Sequence, residues 1–383
     1  MTNRIAILGS TGSIGINTLD VILRLGAGFK VTALAADSNI KLLADQAARF
    51  RPRIISVGNR VLAQKARYAV GSGTKIVYGR EGLEEIASRS DIDIVVFATS
   101  GCSCVAPLAK AIKNRKRIAL ANKESLVSAG EMIMKLAAKN GVRIIPVDSE
   151  HSAIFQCLDG RADRPAKIYL TGSGGPLLDV AKNRFDSLSR GFVLRHPRWK
   201  MGRKISVDSA TMMNKGLEII EAKHLFGMDD SKIEVLIHPE AIVHSMVEFV
   251  DGSVLAQLGT PNMRLPIQYA LTYPRRLTST VEKTDFPKIG RLTFREADTK
   301  KFPCLELARR ASRSGGTSPA ALCAADEEAV AAYLDGHIRF SAIPKIIEKV
   351  LSRHKSIAGT PSLNEVLYTE AWAREEARSI CCH

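Results

Sequence analysis

Aromatic side chains are scarce in this 383-residue chain, at 5%. Stacking platforms for single-stranded nucleic acid draw on such rings, and no nucleic-acid-binding motif is present either. No apolar run reaches the roughly 20 residues of a membrane-spanning helix. The N-terminus enters a strand pattern at once and shows no secretory signal, which predicts a cytoplasmic protein without membrane attachment. Of the seven cysteines, the pairs Cys102/Cys104 and Cys381/Cys382 lack a zinc spacing and the other three are scattered, so reduced thiols are expected.

What is present is ordinary for a globular protein: 45% hydrophobic and 25% charged residues, in a chain long enough for two or three domains. The charge is not ordinary. The net value is +16, and residues 1–150 carry 22 basic and 12 acidic side chains, against 11 and 10 in residues 301–383. A basic half could attract nucleic acid or steer small anions. With few aromatics, anionic small molecules are favoured.

The first third alternates strand and helix patterns, which implies a doubly wound parallel sheet. Arg4–Leu8 reads as a buried strand, followed by Gly9-Ser10-Thr11-Gly12-Ser13-Ile14-Gly15 and a helix to Leu25. Placed after the first strand and opening a helix, the three glycines predict a phosphate cradle. Asp37-Ser38-Asn39, after the second strand, falls where such folds meet the adenosine ribose. The acid favours NAD, because its charge repels a 2′-phosphate. Ser38, Asn39 and Lys41 could instead bond or neutralise that phosphate, and the local sequence leaves both open. Thr99–Gly101, Asn122–Ser125 and Asp148–His151 lie at later strand ends, where ligands of these sheets sit.

Two stretches carry candidate chemistry. In Asp148-Ser149-Glu150-His151, two carboxylates one residue apart could share a hard cation, or Ser149 could simply cap a helix. In Lys204–Glu218, Asp208 and Ser209 predict a helix start, with Thr211, Asn214, Lys215 and Glu218 on one polar face and Met212, Met213, Leu217 and Ile220 in the core. Gly216 within that helix predicts a close approach to its backbone. Between these stretches, Thr171–Pro176 is a small-residue loop suited to phosphate. Residues 177–203 show little regular pattern and end in a basic, acid-free run (Arg195, His196, Arg198, Trp199, Lys200, Arg203) that reads as a lid over an anion. His238 reads as structural. After a connector at 274–300, the remainder is helical and carries no chemical constellation.

Taken together these motifs resemble the 1-deoxy-D-xylulose 5-phosphate reductoisomerase family, along the whole chain. The stretches Gly9–Gly15, Ala121–Ser125, Val147–His151, Leu170–Pro176, Gly202–Gly216 and Ile237–Pro239 carry the resemblance. It implies a Rossmann-like NADPH-binding domain (1–147), an α+β catalytic domain (148–273) with a flap at about 177–203, the connector, and a C-terminal helical bundle (301–383). It implies NADPH- and metal-dependent isomerisation and reduction of 1-deoxy-D-xylulose 5-phosphate to 2-C-methyl-D-erythritol 4-phosphate, by a homodimer using Mn²⁺ or Mg²⁺, with Co²⁺ as a further candidate. By matching motif, Asp148, Glu150 and Glu218 hold the metal, and Lys123 and Ser149 meet substrate oxygens. Ser173, Ser209, Asn214 and Lys215 hold the phosphate, and His196 and Trp199 close over the substrate. Thr11, Gly12, Ser13 and Ile14 take the cofactor pyrophosphate and Asn122, Glu124 and Gly202 the nicotinamide end; Asp37, Ser38 and Asn39 stand at the ribose position, where the family commonly has small or basic residues. Met201 belongs to the flap with Trp199, and His244 and Met263 match further positions lining the site. Two other classes compete: a semialdehyde-type dehydrogenase with Cys102 or Cys104 as nucleophile, and a non-catalytic nucleotide sensor or nucleic-acid binder motivated by the charge.

Overall fold

The computed structural model describes residues 2–161, 165–199 and 201–382. Lys200, one of the basic residues expected in the lid, lies outside the described residues, as does the side chain of Cys102. By contact the chain falls into two units: residues 1–125, 133–148 and 263–281, and residues 126–132, 149–262 and 282–383.

The first unit is built on seven parallel strands: β1 (Asn3–Leu8), β2 (Phe29–Ala35), β3 (Ile54–Val57), β4 (Lys75–Tyr78), β5 (Ile94–Phe97), β6 (Arg117–Leu120) and β7 (Ile144–Pro146). Their spatial order is β4-β3-β2-β1-β5-β6-β7. The chain therefore winds outward from β1 in one direction, returns to its other side at β5, and continues, leaving a switch point between β1 and β5. The central strands are short apolar runs buried on both faces, Ile5–Leu8 and Ile94–Phe97 among them, which is the pattern a helix-covered parallel sheet demands. Helix Arg264–Thr272 packs with this unit, against the helix Ser13–Leu25 and beside β6 and β7.

The second unit holds a mixed sheet of β8 (Lys167–Gly172), β9 (Ile233–Ile237), β10 (Val243–Glu248), β11 (Val254–Leu258) and β12 (Arg295–Glu296), ordered β11-β10-β8-β9-β12. β10 and β11 form a hairpin around Asp251-Gly252. Its helices include Ser149–Leu158, Met213–Phe226 and the C-terminal set Pro303–Ser314, Ser318–Asp335, Ala342–Arg353 and Leu363–Cys381. The helix Ser318–Asp335 is alanine-rich and buried among its neighbours along its first half, Ser318 to Asp326. Ser362 and Glu365 cap the last helix reciprocally.

Two sequence expectations need correction. The polar-faced helix does not start at Asp208 and Ser209. Those residues lie inside a separate helix, Arg203–Thr211, and Met212 breaks the path with a left-handed backbone (φ 63°) before Met213–Phe226 begins. Asp208 is held by Lys204 one turn earlier (2.6 Å), so the side chain that looked like a cap is an ion-pair partner. Thr211 accordingly leaves the shared face, and its hydroxyl accepts from the Met213 N–H. The stretch 177–203 is also more ordered than its sequence suggests. It contains a 3₁₀ segment, Lys182–Ser187, and a helical turn, Arg190–Val193, pinned by Phe185 packing on Phe302 and Phe340. Apolar anchors spaced too far apart to make a period are invisible to pattern reading.

Gly216 behaves as expected. A Cβ there would stand 2.4 Å from Cβ of Ala308 on helix Pro303–Ser314, so the close approach is helix against helix.

Candidate functional site

In the first unit, β1 runs into the glycine turn at the switch point. Gly9 has φ 94°, and a Cβ there would meet the Ala98 carbonyl oxygen at 2.5 Å. A Cβ at Gly15 would meet the Gly9 carbonyl oxygen at 2.2 Å. Those two glycines are required by the fold. Gly12 is not: a Cβ there would find only ordinary contacts, at 3.5 Å and beyond. Gly12 is exposed, and helix Ser13–Leu25 starts directly after it with no side-chain cap. The first N–H groups of that helix, with its positive dipole end, point outward without intrahelical acceptors, which is the geometry of an anion site. Thr11, Ser13 and Ile14 flank it at the surface.

The turn is held from behind by a residue that sequence reasoning missed. Buried Ser10 donates its hydroxyl to Gln46 Oε1 (2.7 Å), and Gln46 Nε2 donates back to the Ser10 carbonyl (2.8 Å). The pairing spans 36 positions, so no local pattern could disclose it. Gln46 lies on helix Ile40–Phe50, whose start is capped by Asn39 accepting from Leu42 N–H. Asp37 and Ser38 are exposed just before that cap. The Asp37 carboxylate leans over Gly58, where a Cβ would fall 2.2 Å from its Oδ1.

At the ends of β5 and β6, the Asn122 amide is buried and engaged. It donates to the carbonyls of Thr99 (3.0 Å) and Gly101 (2.7 Å) and to Glu124 Oε2 (3.0 Å), and it accepts from Ser125 N–H. Its side chain therefore fixes the loop. Lys123 forms a largely buried ion pair with Asp148 at 2.5 Å. Cys104 is an unsuitable nucleophile. It is fully buried, and burial pushes its thiol up to about 12, leaving little thiolate near neutral pH.

In the second unit, Glu150 opens helix Ser149–Leu158 and Glu218 lies on the second turn of helix Met213–Phe226. Oxygens of the two carboxylates lie within 4.8 Å of each other. The Lys215 ammonium bridges them, at 2.5 Å from Glu150 Oε1 and 2.5 Å from Glu218 Oε2. Asn214 donates to the other Glu218 oxygen (2.5 Å), and the Ser149 hydroxyl to Glu150 Oε2 (2.6 Å). Burial alone would lower the Lys215 ammonium, but the charges of Glu150 and Glu218 and their hydrogen bonds outweigh it and raise it. Lys215 reaches this position along Gly172, where a Cβ would fall 2.8 Å from its Cε. Two converging carboxylates already balanced by a cation, with hard oxygen donors, suit Mg²⁺ or Mn²⁺ better than a soft metal.

Beside this cluster, Ser173 Oγ lies 2.9 Å from His196 Nε2, and the Gly175 N–H reaches the same oxygen at 3.3 Å. His196 Nδ1 accepts from the backbone N–H groups of Arg198 (3.2 Å) and Trp199 (2.9 Å). Its proton therefore sits on Nε2, and Ser173 is the acceptor of that bond. With two acceptances made, the Ser173 hydroxyl keeps its own proton to donate to an anion. Gly175 (φ 69°) brings this loop against Ser209, where a Cβ would meet the Ser209 carbonyl oxygen at 2.6 Å. Trp199 stacks at an angle near His244 (6.4 Å), and Arg198 donates to the Pro239 carbonyl. His238 is structural: it accepts from Ile242 and Val243 N–H and bonds the Thr293 carbonyl. Gly202 caps the helix Arg203–Thr211 by its backbone.

Burial, and then the charge of Lys215, lowers His196 to about 4; burial, and then Lys223, lowers His224 to about 4 as well. Both are neutral in the folded protein where an unfolded histidine, at 6.5, begins to protonate. The stability they contribute is complete above about pH 6.5 and is lost as pH falls toward 4. Thermal denaturation between those values is expected to show a falling midpoint, and a flatter fall in His224→Gln. A constant midpoint over that range would contradict both assignments.

Family models described as 1-deoxy-D-xylulose 5-phosphate reductoisomerase, its C-terminal domain, and DXP reductoisomerase C-terminal domain match residues 5–130, 144–226 and 258–376. The 1-deoxy-D-xylulose 5-phosphate reductoisomerase of Ruminiclostridium cellulolyticum is 49% identical over 382 residues, covering 99% of this chain and 100% of that one. That of Acetivibrio thermocellus is 50% identical with the same coverage. A crystal structure of DOX-P reductoisomerase in complex with NADPH, fosmidomycin and magnesium superposes with a TM-score of 0.94 at 42% identity, covering 99% and 98% of the two chains. The Zymomonas mobilis enzyme in complex with NADPH gives 0.91 at 41%, covering 100% and 99%.

Proposed function

The chain belongs to the 1-deoxy-D-xylulose 5-phosphate reductoisomerase family, and from that premise we propose how its residues divide the work. The reaction is the NADPH- and divalent-metal-dependent isomerisation and reduction of 1-deoxy-D-xylulose 5-phosphate to 2-C-methyl-D-erythritol 4-phosphate. A bound divalent cation supplies charge stabilisation at the substrate's ketone and neighbouring hydroxyl, and NADPH supplies the hydride. Everything else is done by the protein.

Glu150 and Glu218 hold the cation, with Asp148, two residues before Glu150, as their third carboxylate. The observation that carries this reading is the convergence of the half-buried Glu150 and the fully buried Glu218, whose oxygens lie within 4.8 Å of one another. Lys123 and Ser149 meet the substrate oxygens. The Ser173 hydroxyl, its proton free to donate, binds the phosphate with Ser209, Asn214 and Lys215. The Lys215 ammonium thus serves both the carboxylates and the phosphate. His196, kept neutral, orients Ser173 through Nε2–H, and with Trp199 it excludes water. That closure matters because the reaction breaks and remakes a carbon–carbon bond, and fragments that drift apart are lost. In the 1–147 stretch, Thr11, Gly12, Ser13 and Ile14 present N–H groups to the pyrophosphate. Asp37, Ser38 and Asn39 meet the ribose. Asn122 and Glu124 shape the loop at the nicotinamide end, and Gly202 is a further cofactor residue in the catalytic stretch 148–273.

The test is NADPH oxidation with the ketose phosphate, run after chelation and again with Mg²⁺, Mn²⁺ or Co²⁺ restored. Turnover only with metal is expected. Turnover untouched by exhaustive chelation, but abolished by thiol alkylation, would transfer the reading to a cysteine-dependent dehydrogenase. Among the described residues no helix is long and apolar enough to cross a membrane. We also propose a cytoplasmic homodimer; sedimentation at the mass of one 41.7 kDa chain would reject the dimer.

A further inference from the structure

We propose that helix Ser318–Asp335 clasps both ends of the stretch bearing His196 and Trp199, and that Asp326 is a positioning residue for substrate binding. The proposal builds on the functional reading above, but its ties lie in the C-terminal helices, where the sequence shows no chemistry.

Ahead of the stretch, the Arg190 guanidinium donates to the Leu334 carbonyl at 3.1 Å. Asp186, just before it, accepts from the Ser341 N–H (2.8 Å) and hydroxyl (2.6 Å). Beyond the stretch, the Arg203 guanidinium reaches the same Leu334 carbonyl at 3.5 Å. Next to it, the Lys204 ammonium sits between Asp208 (2.6 Å) and Asp326 (2.8 Å). Leu334 lies in the last turn of its helix, where carbonyls lack an intrahelical donor and the dipole end is negative. Two guanidinium groups, from chain positions thirteen apart, take up that one oxygen. Gly336 makes room for them: its φ is 89°, and a Cβ there would stand 2.7 Å from Arg190 Nη2.

Asp326 is the unusual member. It is fully buried, and among the described residues its one ion-pair partner is Lys204. The flanking alanines show that this helix packs by small apolar contacts, and a leucine would cost less to bury than a carboxylate. A carboxylate here does what an apolar residue cannot: it directs the Lys204 ammonium and so fixes the start of helix Arg203–Thr211. That helix carries Ser209, against whose carbonyl Gly175 packs. A loop whose neck is already fixed needs less ordering when it closes on a ligand.

Asp326→Leu removes the tie and leaves the Lys204–Asp208 pair neutral, so the fold tolerates it. Two readouts are expected to change. Trypsin should cut after exposed Arg195 and Arg198 about tenfold faster, and the KM for the ketose phosphate should rise about tenfold, the equivalent of about 1.4 kcal/mol. The KM for NADPH should stay as it was. Asp326→Asn, which still offers the ammonium an oxygen, should return most of both losses. Unchanged cleavage and KM in Asp326→Leu, or a change confined to the melting temperature, would overturn the proposal. If wild-type protein shows no ketose-phosphate turnover, the functional reading fails, while the tryptic rates still decide whether the clasp exists.

Discussion

Glu218→Gln is expected to remove turnover, by on the order of a thousandfold, while the protein stays folded. The carboxylate is fully buried on helix Met213–Phe226, where both of its oxygens accept hydrogen bonds, one from Asn214 and one from Lys215. Glutamine has nearly the same shape, so the surrounding core of Leu217, Ile219 and Ile220 need not move. What changes is the charge and one acceptor. The amide NH₂ must face a donor, either the Asn214 amide or the Lys215 ammonium, and cannot ligate a hard cation. The variant should therefore lose two things together: NADPH oxidation at saturating Mg²⁺ or Mn²⁺, and the rise in melting temperature that metal confers on a protein binding it only when folded. The second readout separates ligand loss from a damaged fold. A variant that turns over near the wild-type rate, with its metal-dependent stabilisation intact, would remove Glu218 from the metal site.

The reach of sequence reading differed between local and distant features. The alternation of short apolar strands and helices was legible, because a parallel sheet buried on both faces leaves a continuous apolar run in each strand and a helical period in each connection. Asn214, Lys215 and Glu218 were rightly placed on one face, since their spacing is set by helix geometry alone. The helix start was misplaced because Asp208 has the chemistry of a cap. Whether it caps or pairs depends on Lys204 and Asp326, and Asp326 lies 118 residues further along. Gln46 behind the glycine turn, Gly172 beneath the Lys215 stem and the His196–Ser173 bond were likewise unreadable, each being a contact between residues with no shared period. The anchoring of 182–193 by Phe185 was missed for the same reason.

Ion pairing also explains how so basic a chain can hold largely buried acids within each unit. Lys215 between Glu150 and Glu218, and Lys123 beside Asp148, are buried ammonium groups in the midst of carboxylates. Removing either partner of such a pair leaves an uncompensated buried charge. Each pairing thus carries its own compensating positive charge. The wider basic excess is left to draw in a substrate and a cofactor that both carry phosphate.

The glycine turn offers the second large effect, and it comes from comparing two substitutions. Gly15→Ala should raise the KM for NADPH by roughly a hundredfold or more and lower the melting temperature by several degrees, consistent with overpacking costs of about 1–3 kcal/mol. Its new Cβ would lie 2.2 Å from the Gly9 carbonyl oxygen and 2.5 Å from Ser10 Cα. Both are backbone atoms, and Ser10 is held in place by Gln46. The helix start must therefore swing away from the turn, carrying its free N–H groups out of line. Gly12→Ala meets no such obstacle, its Cβ finding nothing nearer than 3.5 Å, and should leave the melting temperature of the cofactor-free protein unchanged. It should still weaken NADPH, because the space over Gly12 is what a pyrophosphate would occupy. Fluorescence titration with NADPH and calorimetry without it distinguish the two positions. Gly12→Ala binding NADPH as the wild type does would mean that the turn serves the fold alone, and the cofactor's phosphates would have to be sought elsewhere on the sheet.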